Sequence, residues 1–109
     1  MPLAHPNDLE ERRDDEVFRA MQPQLLACYA RRLTTHPTAH AYVTFDVLVG
    51  LDGRPRDVAT TGGALLGNEA LSCLSRHVRR ATFAPPPGGG TSRVRVPFAF
   101  HPDAAGEDP

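Results

Sequence analysis

Tryptophan, lysine and long apolar runs are absent from this sequence. Without tryptophan, the five phenylalanines and two tyrosines must supply the large packing units of a core. Because no segment approaches the ~18 consecutive apolar residues of a membrane-spanning helix, we expect no direct membrane insertion. The first residues have neither a basic start nor an apolar segment, so no signal peptide is recognised. A complete chain of this kind would be expected in the cytoplasm.

Motifs for catalysis and cofactor binding are lacking as well. No paired carboxylates stand out as a general acid and base. The glycine run at residues 88–90 leads into a predicted strand, whereas a phosphate-binding glycine loop opens a helix. We therefore assign no catalytic residue and no cofactor, and we expect that the protein is not an enzyme.

The charge of the chain is unevenly distributed along its 109 residues. Residues 1–16 carry a net charge of −4 and residues 103–109 carry −3, around a body of +6 in which every basic residue is arginine. We expect a flexible polar leader over residues 1–13, one small domain over 14–102 and a flexible acidic tail over 103–109. The alternative is a basic binding face that the acidic ends partly screen.

Two segments have the apolar periodicity of amphipathic helices. The first begins near Asp14 and ends near Leu33; because a proline removes a helical hydrogen bond, we expect a kink or break just before Pro23. The second begins at Asn68, a residue type that often caps helices. The apolar stripes comprise Val17, Phe18, Met21, Leu25, Leu26, Cys28, Tyr29 and Leu33 in the first helix, and Leu71, Leu74 and Val78 in the second.

Three further segments are predicted to be strands. Residues 42–49 and 92–100 alternate between apolar and other side chains, which is typical of half-buried strands. The Asp52-Gly53 pair predicts a tight hairpin into a shorter strand at about residues 54–60. The resulting order, αββαβ, predicts an α+β fold of two layers. In it, two helices cover one face of a three-stranded antiparallel sheet of order 2-1-3.

Four features, in this order along the chain, resemble the TonB C-terminal domain, and within that superfamily the AgmX/PglI C-terminal type. They are Cys28-Tyr29 late in the first helix, residues 68–73 at the start of the second, residues 82–90 after it, and residues 94–100 at the end of the fold. The resemblance spans about Val17 to Pro102. It implies a non-enzymatic protein-interaction domain on the periplasmic side, within an envelope transport or motility complex.

The resemblance also favours a disulfide between Cys28 and Cys73. If the two helices lie side by side, the Cα atoms of the cysteines can come within the ~7 Å that a disulfide requires. The bond would close a loop of about 45 residues and contribute roughly 3–4 kcal/mol to stability. The alternative is two reduced thiols that pack as small apolar groups, as cytoplasmic conditions would enforce.

A metal- or thiol-dependent sensor or enzyme is the alternative function. It would use Cys73 and His77, which are four residues apart on one predicted helix. A wider set of zinc ligands is weakly indicated by the sequence. Structural zinc sites usually contain ligand pairs that are close in sequence, and this chain has few of them. That set comprises Cys28, His36, His40, Cys73 and His77. We assign no metal ligand on this basis.

The last strand is the predicted binding site. Pro97 cannot donate to a strand ladder, so this strand is expected at the sheet edge. TonB-type domains accept an extended peptide there by strand addition, and the expected partner is such a peptide of an envelope protein or a second copy of the chain. A weak nucleic-acid binder through the arginine face is a further alternative, but the aromatic residues alternate inward, so no nucleic acid is expected. The predicted binding residues are Ser92, Arg93, Val94, Arg95 and Val96.

Overall fold

A computed structural model of the chain describes residues 6–86 and 88–102, with side chains from residue 15 onward. Two helices and three strands follow one another in the predicted order αββαβ. The strands form one antiparallel sheet of order β2-β1-β3, which confirms the predicted α+β fold and its strand order. The elements are α1 (Pro6–Leu33), β1 (Ala41–Val49), β2 (Pro55–Gly62), α2 (Gly67–Arg79) and β3 (Ser92–Phe100).

Helix α1 is longer than the sequence pattern indicated. It begins at Pro6, a residue type favoured at the first helical position, so the predicted start at Asp14 is wrong and residues 6–13 are helical. It also continues through Pro23 without a break. Because Pro23 has no N–H, the carbonyl of Arg19 lacks its helical hydrogen-bond donor. Both residues are exposed, so water can hydrate that carbonyl. The predictions for residues 1–5 and for the tail at 103–109 fall outside the described residues.

One hydrophobic core lies between the helices and the sheet. Along β1, every second residue is buried, and α1 packs over β3 while α2 packs over β2. The ring of Phe18 lies 5.4 Å from that of Phe45, and Tyr29 lies 5.2 Å from Phe100, as ring centroids. These contacts confirm the predicted stripes as the faces that form the core. Of the helices that the structure describes, none combines the length and apolarity required to cross a membrane.

The predicted hairpin between β1 and β2 is confirmed at Gly53. Its backbone has φ +81°, and its N–H donates to the Gly50 carbonyl over 2.9 Å. The Asp52 carboxylate accepts the Arg54 N–H at 3.0 Å. Phe83, after α2, then donates its N–H to the Gly53 carbonyl at 2.8 Å, so the chain that leaves α2 is attached to the hairpin.

The start of α2 differs from the prediction. No side-chain hydrogen bond caps the helix, so Asn68 is not its N-cap. A 3₁₀ turn at Ala64–Leu66 leads into the helix, and Leu66 already has helical dihedral angles. Gly67, between this turn and Asn68, has a positive φ of 80°, so a glycine rather than a capping side chain stands at the start of the helix.

Candidate functional site

Strand β3 forms one edge of the sheet. It pairs with β1 in an unbroken antiparallel register from Ala41 opposite Phe100 to Val49 opposite Ser92, and the described part of the chain places no strand on its other side. The edge position predicted from Pro97 is confirmed. The opposite edge, β2, is less regular, because its register shifts beside Leu48 and Val49. Of the two edges, β3 is therefore the longer and more regular one.

The hairpin decides which backbone groups of β1 face β3. The Gly50 N–H bonds the Arg54 carbonyl, so the backbone groups of Gly50 are directed toward β2. Backbone groups alternate in direction along a strand, so the even-numbered residues of β1 bond to β2 and the odd-numbered ones to β3. The partners that face β1 from β3 are therefore Val94, Val96 and Phe98, opposite Val47, Phe45 and Val43.

The remaining residues of β3 direct their backbone groups to the open edge. Arg93, Arg95 and Ala99 each present an N–H and a C=O there, by the same alternation. Pro97 lies opposite Thr44, at a position that does not bond to β1. Its missing N–H therefore costs the sheet no hydrogen bond, and the open edge lacks one donor at that point.

The two arginines of β3 are not free cations. Arg93 Nη1 lies 3.1 Å from Asp46 Oδ1, and Arg95 Nη2 lies 3.4 Å from Asp46 Oδ2. The Asp46 side chain is 19% exposed, whereas the arginine side chains are 61% and 70% exposed. One carboxylate thus holds two guanidinium groups, which leaves this set of three side chains with a net positive charge.

The predicted binding residues divide into two groups by their orientation. Val94 and Val96 are each 8% exposed and belong to the core, so their side chains are not available to a partner. Arg93 and Arg95 have exposed side chains and outward backbone groups. Ser92 is half-buried at the first position of the strand. The role of these residues in binding a partner stays a prediction.

The second candidate site joins the two helices. Cys28 of α1 and Cys73 of α2 form a disulfide with an S–S distance of 2.00 Å and Cα atoms 5.8 Å apart. This confirms the predicted pair, and the described residues include no free cysteine. Cys28 is buried and Cys73 is half-buried.

His77 lies beside this disulfide. The two cysteine sulfurs and a ring nitrogen of His77 all lie within 4.8 Å of one another. No other group of three such residues occurs within residues 15–86 and 88–102. His36 and His40 are exposed in the connection between α1 and β1, so the wider ligand set proposed from the sequence is not brought together.

No family model matches this chain. The search of curated proteins and the search of solved structures also found no match. The resemblance to the TonB C-terminal domain therefore stays a prediction carried by four sequence features. The function has to be argued from the edge strand and from the cluster of Cys28, Cys73 and His77.

Two surface clefts lie next to this cluster. One, of about 420 Å³, is lined by both cysteines and by Arg31 and Arg32 near the end of α1. The other, of about 370 Å³, is lined by His77 together with residues of α1 and of the segment after α2. Small molecules in solvent can therefore approach the disulfide from one cleft and the imidazole from the other.

Sequence reasoning missed the cluster around Asp46. The alternation of β1 placed Asp46 on the open face, and the alternation of β3 placed Arg93 and Arg95 on its open face. With the strand order 2-1-3, β1 and β3 are neighbours and their open faces form one surface. The sequence therefore already implied that Asp46 lies near Arg93 and Arg95. The pairing itself requires the register, in which Asp46 is directly opposite Arg95, and the sequence pattern does not contain that information.

Proposed function

We propose that this chain is a non-enzymatic interaction module that binds an extended peptide, or a second copy of itself, by strand addition to β3. The observation that carries the proposal is a nine-residue edge strand in unbroken register with its neighbour. Such an edge offers a row of unpaired donors and acceptors that an incoming strand satisfies. The affinity would come from backbone hydrogen bonds to Arg93, Arg95 and Ala99.

The preferred stretch of the edge is Ser92 to Val96. Arg93 and Arg95 supply both donors and acceptors there, whereas Pro97 supplies a carbonyl alone. Since two guanidinium groups share one carboxylate, an acidic side chain on the incoming strand, next to Arg93 or Arg95, adds a favourable charge pair. The expected ligand is an extended, acidic segment of an envelope protein.

The proposed location is the periplasm, in an envelope transport or motility complex. This part rests on the resemblance to the TonB C-terminal domain. It is supported by the disulfide, which uses both cysteines, because disulfides persist in oxidising compartments and are rare in the cytosol. Rapid alkylation of thiols in cells of the native host checks it: a blocked, non-alkylated pair is expected, and two free thiols would contradict it.

The sharpest test of the edge is the substitution Arg95→Pro. It removes an outward N–H without removing a hydrogen bond to β1, because Arg95 does not bond to that strand. Peptides selected from a random display library on the oxidised wild-type chain serve as probes. Self-association is measured in parallel by sedimentation. We expect Arg95→Pro to weaken peptide binding, or self-association, by tenfold or more. One backbone hydrogen bond to the incoming strand is lost, and the proline ring crowds that strand.

Two matched variants separate the edge from other effects. Arg95→Ala removes the same side chain and its contact with Asp46 but keeps the N–H, so binding should fall by only a few-fold. Thr60→Pro places a proline at the outward position of β2, which lies opposite Phe45, and should leave binding unchanged. If Arg95→Pro folds and binds as wild type, or if Thr60→Pro alone abolishes binding, β3 is not the site. If neither peptide binding nor self-association is found at millimolar concentration, strand addition is refuted.

A further inference from the structure

We propose that Cys28, Cys73 and His77 form a three-ligand site for Zn²⁺ that exists only when the disulfide is reduced. The proposal does not rest on strand addition at β3. In the oxidised chain the two sulfurs are bonded to each other, so neither is a thiolate that can bind a metal. Reduction releases two thiols beside an imidazole; zinc prefers thiolate and imidazole ligands, and its binding removes the thiol protons.

The distances suit a tetrahedral zinc site. The three ligand atoms lie within 4.8 Å of one another before any movement. With Zn–S bonds of about 2.3 Å and Zn–N bonds of about 2.0 Å, tetrahedral ligands are about 3.5–3.8 Å apart. The imidazole is therefore already near its place. The sulfurs, which are bonded to each other in the oxidised chain, have to move apart to about 3.8 Å, which rotation of two side chains can provide.

The ligands come from packed helices that do not depend on the disulfide alone. Cys73 and His77 are one turn apart on α2, so both face the same side of that helix. Around them Leu25 of α1 and Leu74 and Val78 of α2 are fully buried in the common core. Because this packing persists when the S–S bond is cut, the reduced helices keep the three ligands together.

The electrostatics also favour zinc in the reduced state. Two thiolates and a neutral imidazole around Zn²⁺ give a complex with no net charge, which suits a half-buried position between helices. The cleft that reaches the cysteines is lined by Arg31, Arg32 and Glu69, with Arg31 Nη2 4.0 Å from Glu69 Oε1, so two positive charges and one negative charge leave it with a net charge of +1. No described residue hydrogen-bonds the His77 ring, so within this part of the chain no side-chain hydrogen bond has to break before a ring nitrogen binds the metal.

The reaction has two balanced steps. A dithiol reductant attacks one sulfur of the disulfide and transfers two electrons, which leaves two protein thiols and the reductant as a cyclic disulfide. Zn²⁺ then displaces one proton from each thiol to solvent and accepts a lone pair from His77. The fourth position stays open to water, because the chain contributes three ligands. The reverse exchange, with a small-molecule disulfide that accepts the two electrons and becomes a dithiol, re-forms the Cys28–Cys73 bond and releases the metal.

Zinc titration of the full chain in defined redox states tests this proposal. Oxidised and phosphine-reduced protein are titrated against a chromophoric chelator, and bound zinc is counted by elemental analysis after dialysis. We expect one Zn²⁺ per reduced chain and none per oxidised chain. Co²⁺ substituted into the reduced chain should give thiolate-to-metal charge-transfer absorption and the visible bands of a tetrahedral site.

His77→Gln distinguishes the site from a pair of thiols. We expect zinc affinity of the reduced variant to fall by at least about tenfold, because loss of even an outer-shell partner of a metal ligand typically costs about 10–100-fold. His36→Gln is the matched control, because His36 is exposed and outside the cluster, and its affinity should equal that of wild type. Circular dichroism checks that each reduced chain is folded. The proposal is overturned if the reduced wild type binds no zinc, if it unfolds, or if His77→Gln binds zinc as tightly as wild type.

Discussion

At the scale of single residues, Gly53 is the most closely surrounded of the described glycines. Its φ of +81° is in the region that side-chain-bearing residues avoid. A β-carbon at this position would stand 2.2 Å from the carbonyl oxygen of Phe83, the same residue whose N–H bonds the Gly53 carbonyl. Turn geometry and close approach by the segment after α2 therefore both require glycine here.

We expect Gly53→Ala to lower the free energy of unfolding by more than about 2 kcal/mol. The left-handed conformation alone costs roughly 1–2 kcal/mol, and the contact with Phe83 forces a backbone shift in addition. Gly90→Ala is the control, because Gly90 also has a positive φ, +85°, but nothing within 4 Å of the added carbon. Urea unfolding of both variants measures the difference. Equal losses would mean that the approach of Phe83 is not a constraint.

At the scale of elements, β3 combines two roles in alternate residues. Its even-numbered side chains complete the core, and the backbone groups of the same residues bond to β1. The odd-numbered residues direct their backbone groups to the open edge, and the side chains of Arg93, Arg95 and Pro97 are exposed. An edge strand of this kind is either a binding surface or a hazard for aggregation. Pro97 and the exposed Arg93 and Arg95 are devices that limit uncontrolled pairing.

Amide hydrogen exchange tests this alternation without any partner. In the free protein we expect the amides of Val94, Val96 and Phe98 to exchange slowly, because they bond to β1. The amides of Arg93, Arg95 and Ala99 should exchange orders of magnitude faster, because they face solvent. Residue-resolved NMR measures both sets. Slow exchange of Arg95 at low protein concentration would contradict the open edge, and slow exchange that appears only at high concentration would indicate pairing with a second copy.

At the scale of the whole molecule, the disulfide connects the two helices that cover the sheet. It links residues 45 positions apart, so it restricts a large part of the unfolded chain. The core itself is extensive: among the residues that the structure describes, ten core side chains are fully buried, including Tyr29, Phe45 and Phe100. Stability is therefore shared between a covalent link and an apolar core, as small domains often require.

Reduction of the disulfide should lower the free energy of unfolding by about 3–4 kcal/mol and leave a folded chain. The double variant Cys28→Ala, Cys73→Ala should show a loss of similar size, and the reductant should not change its stability further. Urea denaturation with and without reductant, monitored by circular dichroism, gives these values. A reduced chain that is unfolded in buffer would show that the core is insufficient, and it would also remove the basis of the zinc site.

Much of the fold was predictable because its signals are local. The alternation of residues 42–49 and 92–100 depends on a strand period of two, and the Asp52-Gly53 turn depends on the chemistry of two neighbouring residues. Pro97 indicated an edge, since an interior strand cannot accommodate it well. The failures were at helix boundaries. The polar segment from Pro6 has no apolar stripe, and α2 begins at Gly67, after a 3₁₀ turn, without the side-chain cap expected at Asn68.

The sequence by itself determined the order of the elements, the buried face of each one and the edge position of β3, because these follow from periodicity, turn chemistry and proline. Only the tertiary structure decided which distant residues meet. The register brings Asp46 between Arg93 and Arg95, and helix packing brings His77 to the bond between Cys28 and Cys73. Such contacts depend on strand register and helix rotation, which change by whole residues without altering the local pattern.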